Sequence, residues 1–319
     1  MASASQSGDP PALVAFRELA SVLADPSLSA SVDGFELQIR LRARADALVT
    51  GATSPSAAAE IRLSTIAFLE LVTLGLPEPA LRCARERSAR YLSYASGGSE
   101  RIAAHGGPLV ATLLQGVVAD NTAGGERCVL THGCSASVTA ILLRAAQSAH
   151  FTLIVAEGSA GGGGHATAAA LLEAGVPVRM IEPCAVARVM ASVALVLCGA
   201  HAVLQDGGVV GDIGTLTIAH CAAAHNRPFC VAAPHYLLTR EPPDAALLLE
   251  GGDGDEGGGG APPAGERNDA TLAAIRRRRR DETPPRLIKL ILTDAGVMPP
   301  AAVADELLQR ERLAGAPRA

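Results

Sequence analysis

Hydrophobic positions in the first third of the chain recur at the spacing of an α-helix. One helical face is formed by four residues at intervals of three or four, namely Leu13, Phe16, Ala20 and Leu23. A second apolar stretch begins at Ile61 and continues without Gly or Pro until Gly75. The pattern predicts a helical domain over residues 12–124, preceded by a disordered N-terminus at 1–11.

One stretch of this region carries a competing pattern. Phe35, Leu37, Ile39 and Leu41 alternate with other residues, which is the period of a half-buried β-strand. We predict a helix here, and the strand stays open as the alternative.

After Gly124 the pattern changes to short β-rich runs separated by helical segments. Five such runs lie at 128–131, 151–156, 176–181, 193–198 and 228–232. This alternation is typical of βαβ units with right-handed crossovers and a sheet covered on both faces. A last strand at 287–292 and a closing helix at 301–313 complete the pattern. The predicted fold class is α/β, with a helical domain followed by a doubly wound, Rossmann-like parallel-sheet domain at 125–319.

A segment at about 241–285 interrupts the second domain. It contains GGDGDEGGGGAPPAGE followed by five arginines at 276–280, and it is too long for an ordinary connection. We predict a low-complexity insertion with a disordered glycine-rich centre. A single arginine run beside an acidic stretch is more typical of a solvated surface segment than of a nucleic-acid patch, so no function is assigned to it.

Composition and charge narrow the classes of partner. In 319 residues, 49% are hydrophobic, which is ample for a large core, and the net charge is −5. This charge gives no global attraction for nucleic acid or acidic membranes. The start MASASQSGDPP has no signal-peptide pattern, and no run reaches the roughly 18 apolar residues of a membrane span. We expect a cytosolic protein with no direct nucleic-acid or membrane partner.

Seven cysteines are scattered through the chain without CxxC pairs or Cys/His clusters, so we expect reduced thiols and no metal site. Trp is absent, and the aromatic residues are five Phe and three Tyr. The core must therefore be filled largely by Leu, Val, Ile and Ala.

Three predicted strand ends converge if the sheet is parallel. They are the segments THGCSAS, AEGSAGGGGH and GAHAVLQDGGVVGDIGT, in which glycine turns lead into helix starts. Backbone N–H groups at such positions bind anions, so the predicted crevice suits a small phosphorylated ligand. Ser135 or Ser137 is expected to cap the helix after the first strand. The candidate ligand-binding residues are Gly133, Cys134, Ser135, Glu157, His201, Gly214 and Thr215.

Each candidate also has a structural interpretation. Cys134 and His132 resemble a nucleophile and its base, but their spacing fixes no mutual geometry, and we favour a buried thiol and a core or capping histidine. Glu157 suits either a general base or an acceptor of backbone amides at a helix start. The glycine turn at 161–164 matches neither the dinucleotide fingerprint nor the P-loop.

Several of these segments resemble a known family. VLTHGCSASV, GAHAVLQDGGVVGDIGT, AHNRPFCVAAPHYLLTR and LILTDAGVMPPAAVADEL are similar to sequences of the eukaryotic translation initiation factor 2B family. That family also includes the ribose-1,5-bisphosphate and methylthioribose-1-phosphate isomerases. The last segment resembles the alpha subunits more than their beta and delta relatives.

The departures from the isomerase pattern concern its reactive groups. The isomerases place a cysteine directly after the Thr-His pair, where this chain has Gly133, and a catalytic aspartate after a Gly-Ala pair, where it has His201. Their Asn-Lys pair before Ile-Gly-Thr, which resembles a phosphate-contacting element, is Gly211 and Asp212 here. The resemblance therefore predicts no catalysis and no cofactor, and it leaves a sugar phosphate or nucleotide ligand open.

The resemblance implies a noncatalytic regulatory subunit of the guanine nucleotide exchange complex for initiation factor 2. The implied partners are a second copy of the chain through the α/β domain and the beta, delta, gamma and epsilon subunits of initiation factor 2B. The N-terminal helices would sense the phosphorylated alpha subunit of initiation factor 2. The alternatives are a sugar-phosphate isomerase that uses Cys134 and a stand-alone sensor of a sugar phosphate or nucleotide.

Overall fold

A computed structural model describes residues 10–28, 32–53, 55–73, 75–76, 79–116, 127–158, 163–240 and 280–315. Five long helices come first: α1 (Pro11–Ala24), α2 (Gly34–Thr50), α3 (Pro55–Thr73), α4 (Ala80–Ser96) and α5 (Gly98–Gly116). Within the described ranges, no helix has both the length and the hydrophobicity needed to cross a bilayer. Residues 1–9 of the predicted disordered N-terminus lie outside the described residues, whereas Pro11 begins α1.

Helices α1 to α4 pack around a small aromatic core. The ring of Phe16 lies 5.8 Å from that of Phe68 and 5.0 Å from that of Tyr91, measured between centroids. The rings of Phe16 and Phe68 are fully buried. Because α1 and α3 each present one apolar face, their aromatic side chains meet in the centre of this group of helices.

The segment with two competing patterns is a helix, as predicted. In α2, Leu37 and Leu41 are fully buried, whereas Phe35 and Ile39 are 72% and 53% exposed. The carboxylate of Asp33 accepts a hydrogen bond from the backbone N–H of Glu36 at 2.7 Å and so caps the helix. Of the four alternating residues, only Leu37 and Leu41 enter the core, and their spacing of four residues is that of one helical face.

Helix α5 packs with the sheet rather than with α1 to α4. Its residues Ile102, Val110 and Leu114 belong to the same apolar cluster as helix α6 (Ala136–Ala146) and one face of the sheet. A Cβ atom at Gly106 would lie 2.7 Å from the Ile141 side chain, and one at Gly107 would lie 2.5 Å from that of Arg144. The two glycines therefore let the backbone of α5 rest directly on α6. By its packing, α5 belongs with the sheet region, whereas the boundary at residue 124 stays a prediction because residues 117–126 lie outside the described residues.

The main sheet has seven strands. In chain order they are β1 (Cys128–His132), β2 (Thr152–Ala156), β3 (Val178–Ile181), β4 (Val193–Gly199), β7 (Phe229–Ala232), β10 (Leu290–Leu292) and β11 (Val297–Met298). The spatial order is β11-β10-β7-β4-β1-β2-β3, and all pairs are parallel except β10 with β11. The predicted doubly wound architecture is confirmed. Because the strand order reverses between β1 and β4, a crevice is expected at their carboxyl ends.

Both faces of the main sheet are covered. Leu130 of β1 points into one apolar cluster and its neighbour Val129 into the other. Helices α6 and α7 (His165–Glu173) cover one face, while α9 (Thr215–Ala224) and α10 (Val303–Gly315) cover the other. The short α8 (Val186–Val189) follows β3 and precedes β4 along the chain. These clusters consist mainly of aliphatic side chains, as the low aromatic content predicts.

A second, four-stranded sheet was not predicted. It contains β5 (Ala202–Leu204), β6 (Val209–Asp212), β8 (Leu238–Thr239) and β9 (Arg280–Thr283), in the order β8-β5-β6-β9. Strands β5 and β6 form a hairpin inside the stretch interpreted as a glycine-rich turn. Strand β9 lies inside the predicted insertion at 241–285. It was not predicted because its sequence RDET has no apolar alternation. Residues 241–279 of that insertion lie outside the described residues.

Candidate functional site

A pocket of about 360 Å³ lies at the carboxyl ends of β1 and β4, where the strand order reverses. The residues that follow these two strands form its floor. Pro10 and Pro11 at the start of α1, Glu60 of α3 and Tyr236, which follows β7, form its walls. The pocket therefore lies between the N-terminal helices and the main sheet.

The loop after β1 places Cys134 and Ser135 in this pocket. Ser135 is the N-cap of α6, and its hydroxyl oxygen accepts a hydrogen bond from the Val138 N–H at 3.4 Å, which confirms the predicted cap. The thiol of Cys134 is exposed, so the expectation of a buried thiol is wrong. The hydroxyl group of Thr167 on α7 lies 3.8 Å from the sulfur atom and donates to it.

His132 is a core histidine, as predicted. Its Nδ1 lies 3.3 Å from the carbonyl oxygen of Ala156, and its Nε2 lies 3.1 Å from that of Ile213. The side chain is 4% exposed. Because both ring nitrogens face carbonyl oxygens, the ring connects β2 to the start of α9 and is not the base of a Cys134 dyad.

Gly133 occupies a position at which a side chain would be strained. Its φ angle is +62°, in the left-handed region that favours glycine, and a Cβ atom there would lie 2.5 Å from Oδ2 of Asp212. A side chain at this position would require the Asp212 carboxylate to move.

The imidazole of His201 contacts the carboxylate of Asp212. The Nε2 atom of His201 lies 2.7 Å from Oδ1 of Asp212, and both side chains are partly exposed. Burial acts to raise the pKa of the Asp212 carboxyl, but the hydrogen bond and charge of His201, together with His132 and Arg280, hold that pKa below its ordinary value. Asp212 is thus ionised at neutral pH. Sequence analysis noted Asp212 as a departure from the isomerases but did not select it as a site residue.

The start of α9 is occupied by a carboxylate from β9. Oδ2 of Asp281 accepts a hydrogen bond from the Gly214 N–H at 2.7 Å, and Oδ1 accepts one from the Leu216 N–H at 3.1 Å. Burial raises the pKa of Asp281, although the same two N–H groups act in the opposite direction. Asp281 was missed because it lies in a charged run at the end of the predicted insertion.

Glu60 is a second residue that sequence analysis missed. Burial raises the pKa of its carboxyl, while a hydrogen bond from the backbone of Ala12 and one from the Tyr236 hydroxyl act to lower it. The Tyr236 oxygen lies 3.4 Å from Oε1 of Glu60. Glu60 therefore links α3 to α1 and to the main sheet. The helical periodicity of α3 gives no sign of this role.

The predicted site residues divide into three groups in the structure. Cys134, Ser135, His201 and Thr215 line the pocket. Gly133 and Gly214 lie directly behind it, beside Asp212 and His132. Glu157 lies outside the pocket lining, and its backbone N–H bonds to the carbonyl oxygen of Ile181 at 3.0 Å. Positions 159–162 of the glycine turn lie outside the described residues.

The donor set of the site does not suit a metal ion. Across the described ranges, no three His, Cys, Asp or Glu side chains come together as ligands for a metal. All seven cysteines are free thiols. Burial raises the pKa of Cys198 and of Cys230 to about 12, so both thiols stay protonated in the core.

A comparison with protein families matches residues 31–300 to the model of the initiation factor 2 subunit family. The chain belongs to the initiation factor 2 subunit family. It is 36% identical to translation initiation factor eIF2B subunit alpha of Dictyostelium discoideum over 185 residues, which is 57% of this chain and 58% of that protein. It is 37% identical to subunit beta of Schizosaccharomyces pombe over 35% of this chain and 29% of that protein. The chain thus matches little more than half the length of the alpha subunit and less than a third of the beta subunit.

Solved structures of the initiation factor 2 subunit family share the fold. A translation initiation factor eIF-2B from Pyrococcus horikoshii OT3 aligns with 91% of this chain and 90% of its own, with a TM-score of 0.62 and 19% identity. A chain of the tetrameric eIF2B-beta2-delta2 complex from C. thermophilum aligns with 96% of this chain and 90% of its own, with a TM-score of 0.67 and 20% identity. These alignments cover both the helical region and the sheet.

Proposed function

We propose that this chain is a noncatalytic, alpha-type regulatory subunit of the guanine nucleotide exchange complex for translation initiation factor 2. Family membership and the similarity to the D. discoideum alpha subunit support the assignment to that complex. The geometry at Gly133 supports the absence of catalysis most directly. The position of the isomerase cysteine is a glycine with a φ angle of +62°, and a Cβ atom there would lie 2.5 Å from Oδ2 of Asp212, which would have to move.

The second catalytic position supports the same conclusion. His201 replaces the isomerase aspartate, and its ring nitrogen is held by Asp212 at 2.7 Å. Isomerisation of a sugar phosphate requires a group that moves a proton and a partner that polarises the sugar. Cys134 lies in the pocket, but both ring nitrogens of His132 face backbone carbonyl oxygens instead of the thiol.

The proposed partners are a second copy of this chain and the beta, delta, gamma and epsilon subunits of initiation factor 2B. One chain of the tetrameric beta2-delta2 complex from C. thermophilum shares the fold, which supports assembly by the same fold here. The proposed regulatory partner is the phosphorylated alpha subunit of initiation factor 2, contacted by the N-terminal helices. We place the protein in the cytosol, where translation initiation takes place.

Purification with the other four subunits tests the assignment. We expect the full chain to co-elute with all four as one large complex and to make nucleotide exchange sensitive to phosphorylated initiation factor 2. The chain alone should not convert ribose-1,5-bisphosphate or methylthioribose-1-phosphate. Cys134→Ala and its control Cys184→Ala, which removes another exposed thiol, should likewise show no conversion of either sugar phosphate. Turnover that is lost in Cys134→Ala but kept in Cys184→Ala would establish the isomerase alternative.

The sensing surface is tested on α1. Six of the fourteen residues of this helix are buried, and its solvent-facing positions include Ser21 and Ala24. Ser21→Arg and Ala24→Arg should weaken inhibition by phosphorylated initiation factor 2 and leave basal exchange unchanged. Glu173→Arg, on the exposed surface of α7, is the control. Unchanged inhibition in complexes that assemble normally would remove α1 from the sensing surface.

A further inference from the structure

The start of α1 has no capping side chain of its own. Pro10 is the N-cap residue and makes no side-chain hydrogen bond to the helix, and Pro11 at the first helical position has no N–H group. The next N–H group, that of Ala12, donates a hydrogen bond to the Glu60 carboxyl of α3. Glu60 therefore caps α1 from a neighbouring helix.

The same carboxyl contacts a side chain from the sheet region. The hydroxyl group of Tyr236 lies 3.4 Å from Oε1 of Glu60 and donates to it. The Tyr236 ring packs edge-on against Phe16 of α1, with 5.7 Å between the ring centroids. Tyr236 packs against the helical core and also against a core cluster of the sheet region. Glu60 and Tyr236 thus join α1 and α3 to the segment after β7.

Helix α3 holds Glu60 on the sheet side of this junction. Ala59 and Leu63, on either side of Glu60, belong to a core cluster of the sheet region, whereas Phe68 and Val72 belong to the helical core. The carboxyl is therefore anchored on the sheet, and the first turn of α1 is the part that it holds. Opening of these contacts would move that turn, which forms one wall of the pocket.

We propose that the hydrogen bonds of Ala12 and Tyr236 to Glu60 are a latch that holds the first turn of α1 against the pocket, and that the charge of this one carboxyl sets how firmly the turn is held. We call these contacts the Glu60 latch. The inference concerns a motion within the fold and does not depend on the regulatory function proposed above.

The electrostatics of the site give the latch a direction. Burial favours the neutral carboxyl and raises the pKa of Glu60, while the hydrogen bonds from Ala12 and Tyr236 act to lower it. The charge of His201, which lines the same pocket and contacts Asp212, also acts to lower it. Among the described residues, Tyr236 and His201 are the titratable groups that act on this carboxyl.

Opening of the first turn would expose the Glu60 carboxyl to water. The closed form then holds the proton of Glu60 more tightly than the open form does, because burial penalises the charged carboxyl only while the turn is closed. The latch is therefore firm in acid, and it loosens as the pH rises through the pKa of Glu60 in the closed form.

Amide hydrogen exchange of the full chain, followed by NMR between pH 4 and pH 8, tests the latch. The N–H groups of Leu13 and Val14 donate to the carbonyl oxygen of Pro10, at 3.0 and 3.3 Å, and so report opening of the first turn. The readout is their protection factor, which is already corrected for the intrinsic pH dependence of exchange. The amides of β2 report global unfolding for comparison.

Two conservative variants change the latch without removing its packing. Glu60→Gln keeps an acceptor oxygen but cannot ionise, and Tyr236→Phe removes the hydroxyl group but keeps the ring beside Phe16. The matched controls are Glu100→Gln, at an exposed position, and Tyr94→Phe, whose hydroxyl group does not line this pocket. His201→Gln tests whether the imidazole is the source of any pH dependence.

In wild type, protection of the first turn should lie below that of β2 and fall as the pH rises, by no more than about tenfold per pH unit, the limit for one proton. Glu60→Gln should abolish this fall. Tyr236→Phe should lower protection about fivefold and keep the fall. Both controls should match wild type.

Three outcomes would overturn the proposal. Protection of the first turn equal to that of β2 would mean that α1 opens only in global unfolding. Protection that is constant from pH 4 to pH 8 in wild type would exclude control by the Glu60 charge, even if a variant fails to fold. A fall that persists in Glu60→Gln but is lost in His201→Gln would assign the pH dependence to His201 instead.

Discussion

The helical region and the sheet region fill their cores with different side chains. Three of the eight aromatic residues, Phe16, Phe68 and Tyr91, lie in contact among α1, α3 and α4, and Tyr236 from the sheet region joins them at 5.7 Å from the Phe16 ring. The sheet core is mainly aliphatic. A few large rings thus hold the helices together, whereas many small contacts are distributed through the sheet.

This difference predicts that a single substitution damages the helical region most. Phe68→Ala removes a fully buried ring that stacks on Phe16, and it should lower the free energy of unfolding by about 3–5 kcal/mol. Chemical denaturation measures the change, and hydrogen exchange shows whether α1 to α4 lose more protection than the sheet. The control is Phe35→Ala, at a 72% exposed ring, with an expected change of roughly 0.5 kcal/mol or less. Equal effects from the two substitutions would contradict the arrangement of this core.

A smaller effect is expected in the sheet. Ile154→Val on β2 removes one buried methyl group, and it should lower the free energy of unfolding by about 1 kcal/mol. Ile39→Val makes the same chemical change on the exposed side of α2 and should have little effect in the same denaturation experiment. A loss as large as that of Phe68→Ala would show that the sheet core also depends on individual side chains.

The smallest effect concerns Glu60, which lies between the two regions. Burial raises the pKa of its carboxyl above the ordinary value of 4.5, so the folded state holds its proton more tightly than the unfolded state. Stability from this group is therefore present below about pH 4.5 and is lost as the pH rises through the folded pKa. Glu60→Gln should match the stability of wild type in acid and exceed it at neutral pH.

Thermal unfolding of Glu60→Gln and wild type between pH 4 and pH 8 provides this measurement. Glu100→Gln, at an exposed position near the start of α5, is the control for the removal of a carboxyl charge from the surface. A Glu60→Gln difference that is constant across this range would mean that the folded protein does not alter the titration of Glu60.

Sequence patterns predicted the elements better than their partners. The apolar runs located β1, β2, β4 and β7 to within a few residues, and alternation with helices predicted the parallel order, because both signals depend on local periodicity. The predicted helical domain at 12–124 also included the residues of α5. Periodicity could not show that α5 packs on α6. Gly106 and Gly107 allow this close packing, but the sequence does not reveal which helix faces them.

The candidate site shows the same limit. Strand ends and glycine turns correctly placed Cys134, Ser135, His201 and Thr215 in one pocket, because parallel strands end at the same edge. Asp281 reaches this edge from a distant part of the chain through pairing of β9 with β6, and its charged surroundings carry no apolar signal. Whether the predicted residues bind a ligand stays a prediction.

The close contact of α5 with α6 has a mechanical consequence. At Gly106 and Gly107 no side chain of α5 separates the two helices, so no rotamer change on α5 can absorb a displacement at this point. The next connection toward the N-terminus is the ion pair of Arg101 with the buried Asp294, at 3.3 Å. A displacement of α6 toward α5 at the two glycines would therefore have to move the α5 backbone itself.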